Sequence, residues 1–211
     1  GSGADIVARA LAQQLQTMWG QSVVVENRPG AGGQIGTGEV VRAAPDGHTL
    51  LIQSSSHASN PAIYKQLPYD PLTDLTPLVR VCLASIALVV TADTPARDMK
   101  EFMAWITANT GKLTYGSYGI GSHAQLACVT LSDIAGAAMT HVAYKGEAPM
   151  VQDLLGGQIR IGMGSLLSLK AHIDSGKLRA LAVTGPRRVP LLPDVPTFVE
   201  AGYKQDALAI V

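Results

Sequence analysis

The stretch Lys112-Leu-Thr-Tyr-Gly-Ser-Tyr-Gly-Ile-Gly-Ser-His-Ala124 puts a strand candidate, a glycine loop and a helix start in one run. Residues 112–117 read as the strand, and residues 123–135 as the helix behind it. The same order returns downstream. Residues 140–143 and 159–162 read as strands followed by helices at 148–155 and 166–174, and residues 180–184 add one more strand. Repeated βα units predict a parallel sheet with helices on both faces. Ligands of such sheets gather beyond the carboxyl ends of the strands, where the glycine loop at 118–122 falls.

Upstream, Asp98-x-x-Glu101 has the form of a capping box and predicts a helix to about residue 109. Residues 78–91 are strand-rich and have no helical partner, as suits a crossover between lobes. At the start, Val7, Leu11, Leu15 and Met18 recur at helical spacing over residues 4–19, and Gly20 suits the helix end. Residues 23–25 read as a buried strand. A short helix at 37–44 stops at Pro45, Pro45-Asp-Gly47 supplies turn chemistry, and residues 48–53 read as the next strand.

With 211 residues, 47% apolar and 15% charged, the chain can bury a substantial core as one large or two small domains. The apolar run 81–90 is interrupted by Ser85 and falls short of the ~20 residues a membrane-spanning helix needs. Sixteen basic and sixteen acidic residues cancel, and no basic cluster exceeds Arg187-Arg188, so nothing marks a nucleic-acid or anionic-lipid surface. An anionic ligand is then to be held locally, by backbone N–H groups at helix starts. Cys82 and Cys128 are expected to stay separate and buried. His48, His57, His123, His141 and His172 are scattered without metal-ligand spacing, so no metal or other cofactor is expected. A nucleophile elbow is absent too, so the reading is not an enzyme.

Three ordered signatures carry a resemblance: Glu26-Asn-Arg-Pro-Gly-Ala-Gly-Gly33, Pro45-Asp-Gly-His-Thr-Leu50 and Leu192-Pro-Asp-Val-Pro-Thr197. Asn60-Pro61, Leu67-Pro-Tyr-Asp70, Tyr144-Lys-Gly146 and Asp153-Leu-Leu-Gly-Gly-Gln158 lie between them. The chain resembles the tripartite tricarboxylate transporter receptors, the Bug family of periplasmic solute-binding proteins. That resemblance implies an α/β, two-lobe type II periplasmic binding protein fold, with parallel or mixed sheets flanked by helices and a ligand cleft between the lobes. Residues 1–84 would form lobe one, 85–205 lobe two, and 206–211 the start of the crossover back. Such receptors also have a strand ahead of the first glycine loop and a further stretch beyond position 211, so a chain shorter than its family at both ends is expected. With no basic and apolar leader ahead of Gly1, any export signal is expected to have been removed already.

The resemblance also selects site candidates. Gly1, Ser2 and Gly3 would aim free N–H groups at the cleft, although Gly-Ser is also a common cloning remnant. Asp5 is expected to cap or form a salt bridge. Ser55, Ser56, His57 and Ala58 follow the strand at 48–53, where hydroxyls can donate to a carboxylate. Gly121, Ser122 and His123 are the strongest candidates to hold a ligand carboxylate at a helix start. Lys145 follows the strand at 140–143 and would line the cleft. Gly164 stands where many relatives carry an aspartate; glycine there leaves room and offers no partner to a ligand ammonium. A carboxylate without an α-ammonium group, dicarboxylic or aromatic, is therefore the expected ligand, unless Glu147 turns inward as an amine partner. Asn27 to Gly33 lacks the Gly-Lys-Ser/Thr ending of a phosphate loop and reads as structural.

Two other function classes compete with a receptor that passes its solute to membrane components of a transporter. An effector-binding lobe of a transcription regulator would share the architecture, but no DNA-binding segment is seen. A dinucleotide-dependent enzyme would rest on Gly119-x-Gly121-x-x-Ala124, and needs an acidic residue at the end of the following strand.

Overall fold

The computed structural model describes residues 3–209. Three α-helices come first: α1 (Gly3–Trp19), α2 (Gln34–Arg42), entered through a single 3-10 turn at Ala31–Gly33, and α3 (Ser56–Ile63). Strand and helix then alternate: β1 (Ile86–Thr91), α4 (Met99–Ala108), β2 (Leu113–Ser117), α5 (His123–Ala135), β3 (Met139–Ala143), α6 (Glu147–Leu155), β4 (Ile161–Ser165), α7 (Leu166–Asp174) and β5 (Leu178–Val183). A last turn of helix, α8 (Asp206–Ala209), follows.

The five strands form one sheet in the order β3-β2-β4-β1-β5. β2 pairs in parallel with β3 and β4, as the βα repeat requires. β1 runs antiparallel to both β4 and β5, so the sheet is mixed and not wholly parallel. The reason lies in connectivity: β1 arrives from the first helices without a crossover helix of its own and is inserted between two strands that do have one. Every residue of β1 is buried, as expected of a central strand covered on both faces.

Its alternation sorts the core into two layers. Ile86, Leu88 and Val90 point into a cluster with Phe102 and Ile106 of α4, Ala127 and Leu131 of α5, and Phe198. Ala87 and Val89 point the other way, onto Met150 and Leu154 of α6 and Leu169 of α7. Asp98 caps α4, accepting from the Glu101 N–H at 2.8 Å, while the Glu101 carboxylate reaches back to the Arg97 N–H at 2.7 Å. The box therefore closes one residue further out than its standard form.

Three expected strands do not form as expected. Residues 23–25 and 48–53 lie in no ladder among the described residues, and of the run 78–91 only Ile86–Thr91 is strand. Isolated β-propensity does not make a strand: the backbone needs a neighbour to take its N–H and C=O groups. One helix was unexpected. Ser55, Ser56, His57 and Ala58 were expected only to follow a strand, but Ser56–Ile63 is helical, with Pro61 inside it. Cys128 is buried as expected, whereas Cys82 is exposed; both are free thiols.

Candidate functional site

The carboxyl ends of the parallel strands β2 and β4 open onto the N-termini of α5 and α7. Against them lie the start of α1 and the helix α3. Two contacts join these parts. The Ser59 hydroxyl of α3 donates to the Gly121 carbonyl at 2.7 Å, and the Gly3 N–H of α1 donates to Glu147 Oε2 at 3.1 Å.

Both contacts depend on absent side chains. A Cβ on Gly3 would stand 2.7 Å from Ser165 Oγ, and one on Gly121 would stand 2.5 Å from Ile63 Cδ1. Gly121 also has a φ of +75°, which L side chains rarely adopt. The glycine loop is thus shaped to receive α3, in addition to starting α5.

Within that loop the polar groups of the strongest candidates are already engaged. Ser122 caps α5, accepting from the Gln125 N–H, and its own proton goes to the Gly119 carbonyl at 2.6 Å. The Gly121 N–H goes to Gln125 Oε1 at 2.7 Å. His123 Nε2 lies 2.7 Å from the Ala207 carbonyl, an acceptor, so that nitrogen carries a proton and ties α8 to α5. Burial holds the His123 imidazole below its usual value. The hydroxyl that sequence reasoning assigned to a ligand is spent on the loop itself, because a serine has one proton to give.

Beside the loop, Ser117 Oγ pairs with His141 Nε2 at 2.7 Å, and His141 stacks on Tyr115 with ring centroids 5.0 Å apart. Burial pulls the His141 value down as well. Tyr118 follows β2, and its hydroxyl is pushed up first by burial and then by the charge of Glu147.

Glu147 itself is 4% exposed and has turned inward. Its Oε1 accepts from the Ser165 N–H at 2.7 Å, and its Oε2 from Gly3, from Ser165 Oγ at 2.7 Å and from the Ser168 hydroxyl. Ser165 and Ser168 were missed by sequence reasoning. Their spacing of three along a helix start is common to many capping serines and carries no signal of a carboxylate 18 and 21 residues earlier in the chain.

Other candidates separate. Ser56 is buried and shares a hydrogen bond of 2.9 Å with Ser54 Oγ; Ser55 and Ala58 are exposed at the start of α3. His57 points away toward the Pro71 carbonyl, 3.2 Å from Nε2, and stacks on Tyr69. Lys145 is exposed after β3. Gly3 meets the second half of the chain, while Gly1 and Ser2 fall outside the described residues. Gly164 is a correction: its Cβ direction meets Met150 Cε at 3.1 Å, Glu147 Oε1 at 3.5 Å and Leu169 Cδ1 at 3.6 Å. The room expected there is filled by core side chains, and the acid that Gly164 lacks is supplied by Glu147. Asp5 forms the expected salt bridge to Arg9 at 3.1 Å and accepts from Asn27 Nδ2 at 2.7 Å. The Asn27 and Arg9 hydrogen bonds hold its carboxyl below the usual range.

A family profile described as tripartite tricarboxylate transporter family receptor matches residues 7–210. The chain belongs to that family. BugT of Bordetella pertussis is 38% identical over 207 residues, covering 97% of this chain and 64% of its own. The chain spans about three fifths of the length of the curated relatives it matches first, from 60% to 64%. Two solved receptors of Rhodopseudomonas palustris share the arrangement. Rpa4515 with adipate is 33% identical, with a TM-score of 0.92 over 96% of this chain and 68% of its own. MatC (Rpa3494) with bound malate is 30% identical, with a TM-score of 0.91 over all of this chain and 71% of its own. The periplasmic binding protein BugD is 37% identical, with a TM-score of 0.90 over 97% of this chain and 68% of its own, so the fold is that of the periplasmic binding proteins. The dinucleotide reading needs a free acid at the end of β3, and the nearest one, Glu147, is engaged by Gly3, Ser165 and Ser168. No described helix is long and apolar enough to cross a membrane.

Proposed function

We propose that this chain is the periplasmic solute receptor of a tripartite tricarboxylate transporter, binding a small organic carboxylate and handing it to the membrane components. A dicarboxylic acid is favoured over an aromatic one. The observation that carries the reading is likeness over at least 96% of the chain to two receptors whose structures hold adipate and malate, both dicarboxylates. Carboxylate capture also fits a cleft walled by helix starts, whose partial positive charge favours an anion without a cluster of basic side chains.

In this reading residues 1–84 and 85–205 are the two lobes, with residues 206–211 leading back to the first. The solute lies between Gly3 and the start of α3 at Ser55, Ser56 and Ala58 on one side, and Gly121 on the other. Ser122, His123 and His57 shape these walls through the bonds they make to the backbone. Lys145 sits at the rim, and Gly164 backs the wall as a packing position.

The test is a melting-temperature screen of the full-length receptor with monocarboxylates, dicarboxylates, tricarboxylates, aromatic acids and amino acids, followed by calorimetry. A ligand present at a hundred times its Kd stabilises the native state by about 2.7 kcal/mol, a readily measured shift. Stabilisation by a short-chain dicarboxylate is expected. Stabilisation by amino acids alone, or by none of the panel, would overturn the assignment.

A further inference from the structure

Glu147 is a buried carboxylate, and among the described residues no Lys, Arg or His pairs with it. Hydrogen-bond donors hold its charge instead. Gly3 N–H, Ser165 N–H, Ser165 Oγ and the Ser168 hydroxyl all converge on its two oxygens. Gly3 is the first residue of α1, Ser165 stands at the N-cap position of α7 with its hydroxyl turned to Glu147, and Glu147 lies in the first turn of α6. Three helix N-termini, each with a partial positive charge, therefore face one anion. The donors also come from distant parts of the chain, residue 3 in the first region and residues 165 and 168 in the second.

We propose that Glu147 is an internal anion filling a carboxylate subsite between α1 and α7. It latches those two helices together, and it denies the same donors to the carboxylate of a bound solute. The solute's carboxylate must then be anchored away from Ser165, which makes Glu147 a specificity-determining residue. The exclusion half of this proposal rests on the receptor reading; the filled subsite does not.

Chemical rescue in the full-length receptor tests it. Glu147→Ala removes the carboxylate and leaves a gap of matching chemistry, so formate should raise the variant's melting temperature in a saturable way. Wild type should not respond, and chloride at equal ionic strength should rescue neither. Formate-dependent folding of an otherwise unfolded variant counts as rescue. No response in a folded variant, or equal responses in variant and wild type, would overturn the proposal.

If Glu147→Ala stays unfolded at every formate concentration, Ser168→Ala decides. Losing one donor should speed amide exchange at Ser165 and leave Leu126 of α5 unchanged; unchanged exchange at Ser165, or a uniform change at both, counts against the latch. Adipate titration of wild type separates the two readings. Rescue by formate with no carboxylate of the panel bound by wild type keeps the latch and removes the receptor assignment. Dicarboxylate binding without rescue does the reverse.

Discussion

Residues 3–84 and 85–209 have similar apolar material but use it differently. The second region holds all five strands and both buried clusters. The first holds three α-helices, no paired strand among the described residues, and most of the exposed large apolar side chains. Val24 in the run Val23-Val-Val25 is 77% exposed, whereas Val89 in β1 is fully buried. The two valines have the same side chain and the same preference for extended backbone. What differs is the neighbour: β1 has β4 and β5 to pair with and helices on both faces. Secondary-structure preference sets what a segment can be, and pairing decides what it is.

The largest effect should come from the core of the second region. Phe102→Ala removes a fully buried ring from α4 and should cost ~3–5 kcal/mol in chemical denaturation, whereas Val79→Ala, at an exposed site, should stay within ~0.5 kcal/mol. Hydrogen exchange should agree, with the slowest amides in β1 and β4 and fast exchange across residues 23–25 and 48–53. Slow exchange in those two segments would break the contrast.

The junction between the regions gives a matched pair. Gly121→Val meets both a positive φ and Ile63, and should cost roughly 2–6 kcal/mol from backbone strain and overpacking together. Gly111→Val has a similar φ of +73° but open space around it, so strain alone should cost about 1–3 kcal/mol. Equal losses in thermal melts would show that α3 does not press on the glycine loop.

Ser122→Ala sharpens the same junction at smaller scale. Loss of the α5 cap should lower stability by about 1 kcal/mol. Because the hydroxyl is spent on Gly119, calorimetry should show any ligand-affinity loss shrinking when the loop is stabilised independently. A full affinity loss at unchanged stability would instead assign Ser122 directly to the ligand.

Acid should distinguish the regions too, with the smallest effect. Burial lowers the folded-state value of His123 from 6.5, and that of His141 likewise, so below pH 6.5 the unfolded chain binds more protons at these sites. Their contribution is complete above pH 6.5 and is lost as pH falls through 6.5 toward the folded values. In the first region the lowered groups are Asp5, Asp46 and Asp70, whose contributions are present above pH 3.8 and fade only below it. Denaturation between about pH 7 and pH 5 should therefore weaken wild type more than His123→Gln. Identical pH slopes in the two proteins would contradict this.

The βα alternation after residue 110 was legible because its signals are local. Residues 123–135 and 166–174 were placed as helices and are helices, since the Ser122 cap of the first, and the apolar spacing and following glycines of both, act within one or two turns. The family was legible too, through short signatures spread along the chain. Which segments pair was not: the antiparallel insertion of β1 between β4 and β5 depends on residues 71 to 96 positions away, by the register of Val90 with Ile161 and Ile86 with Ser165 on one side and Ala87 with Val183 on the other. α3 was hidden for a different reason. Serines, Asn60 and Pro61 favour turns when isolated, and the helix is stabilised by contacts such as Ser59 to Gly121 that only the folded chain provides.

The candidate site divides along the same line. Sequence alone determined that the glycine loop before α5 stands at a strand's carboxyl end, because strand, glycines and helix cap are consecutive. Tertiary structure alone decided that Ser122 serves its own loop, that Gly164 is packed, and that Glu147 gathers Gly3, Ser165 and Ser168 around one carboxylate. A hydroxyl or carboxylate takes whichever partner lies within about 3 Å once the chain has closed, and that distance is set by pairing and packing between residues far apart in sequence.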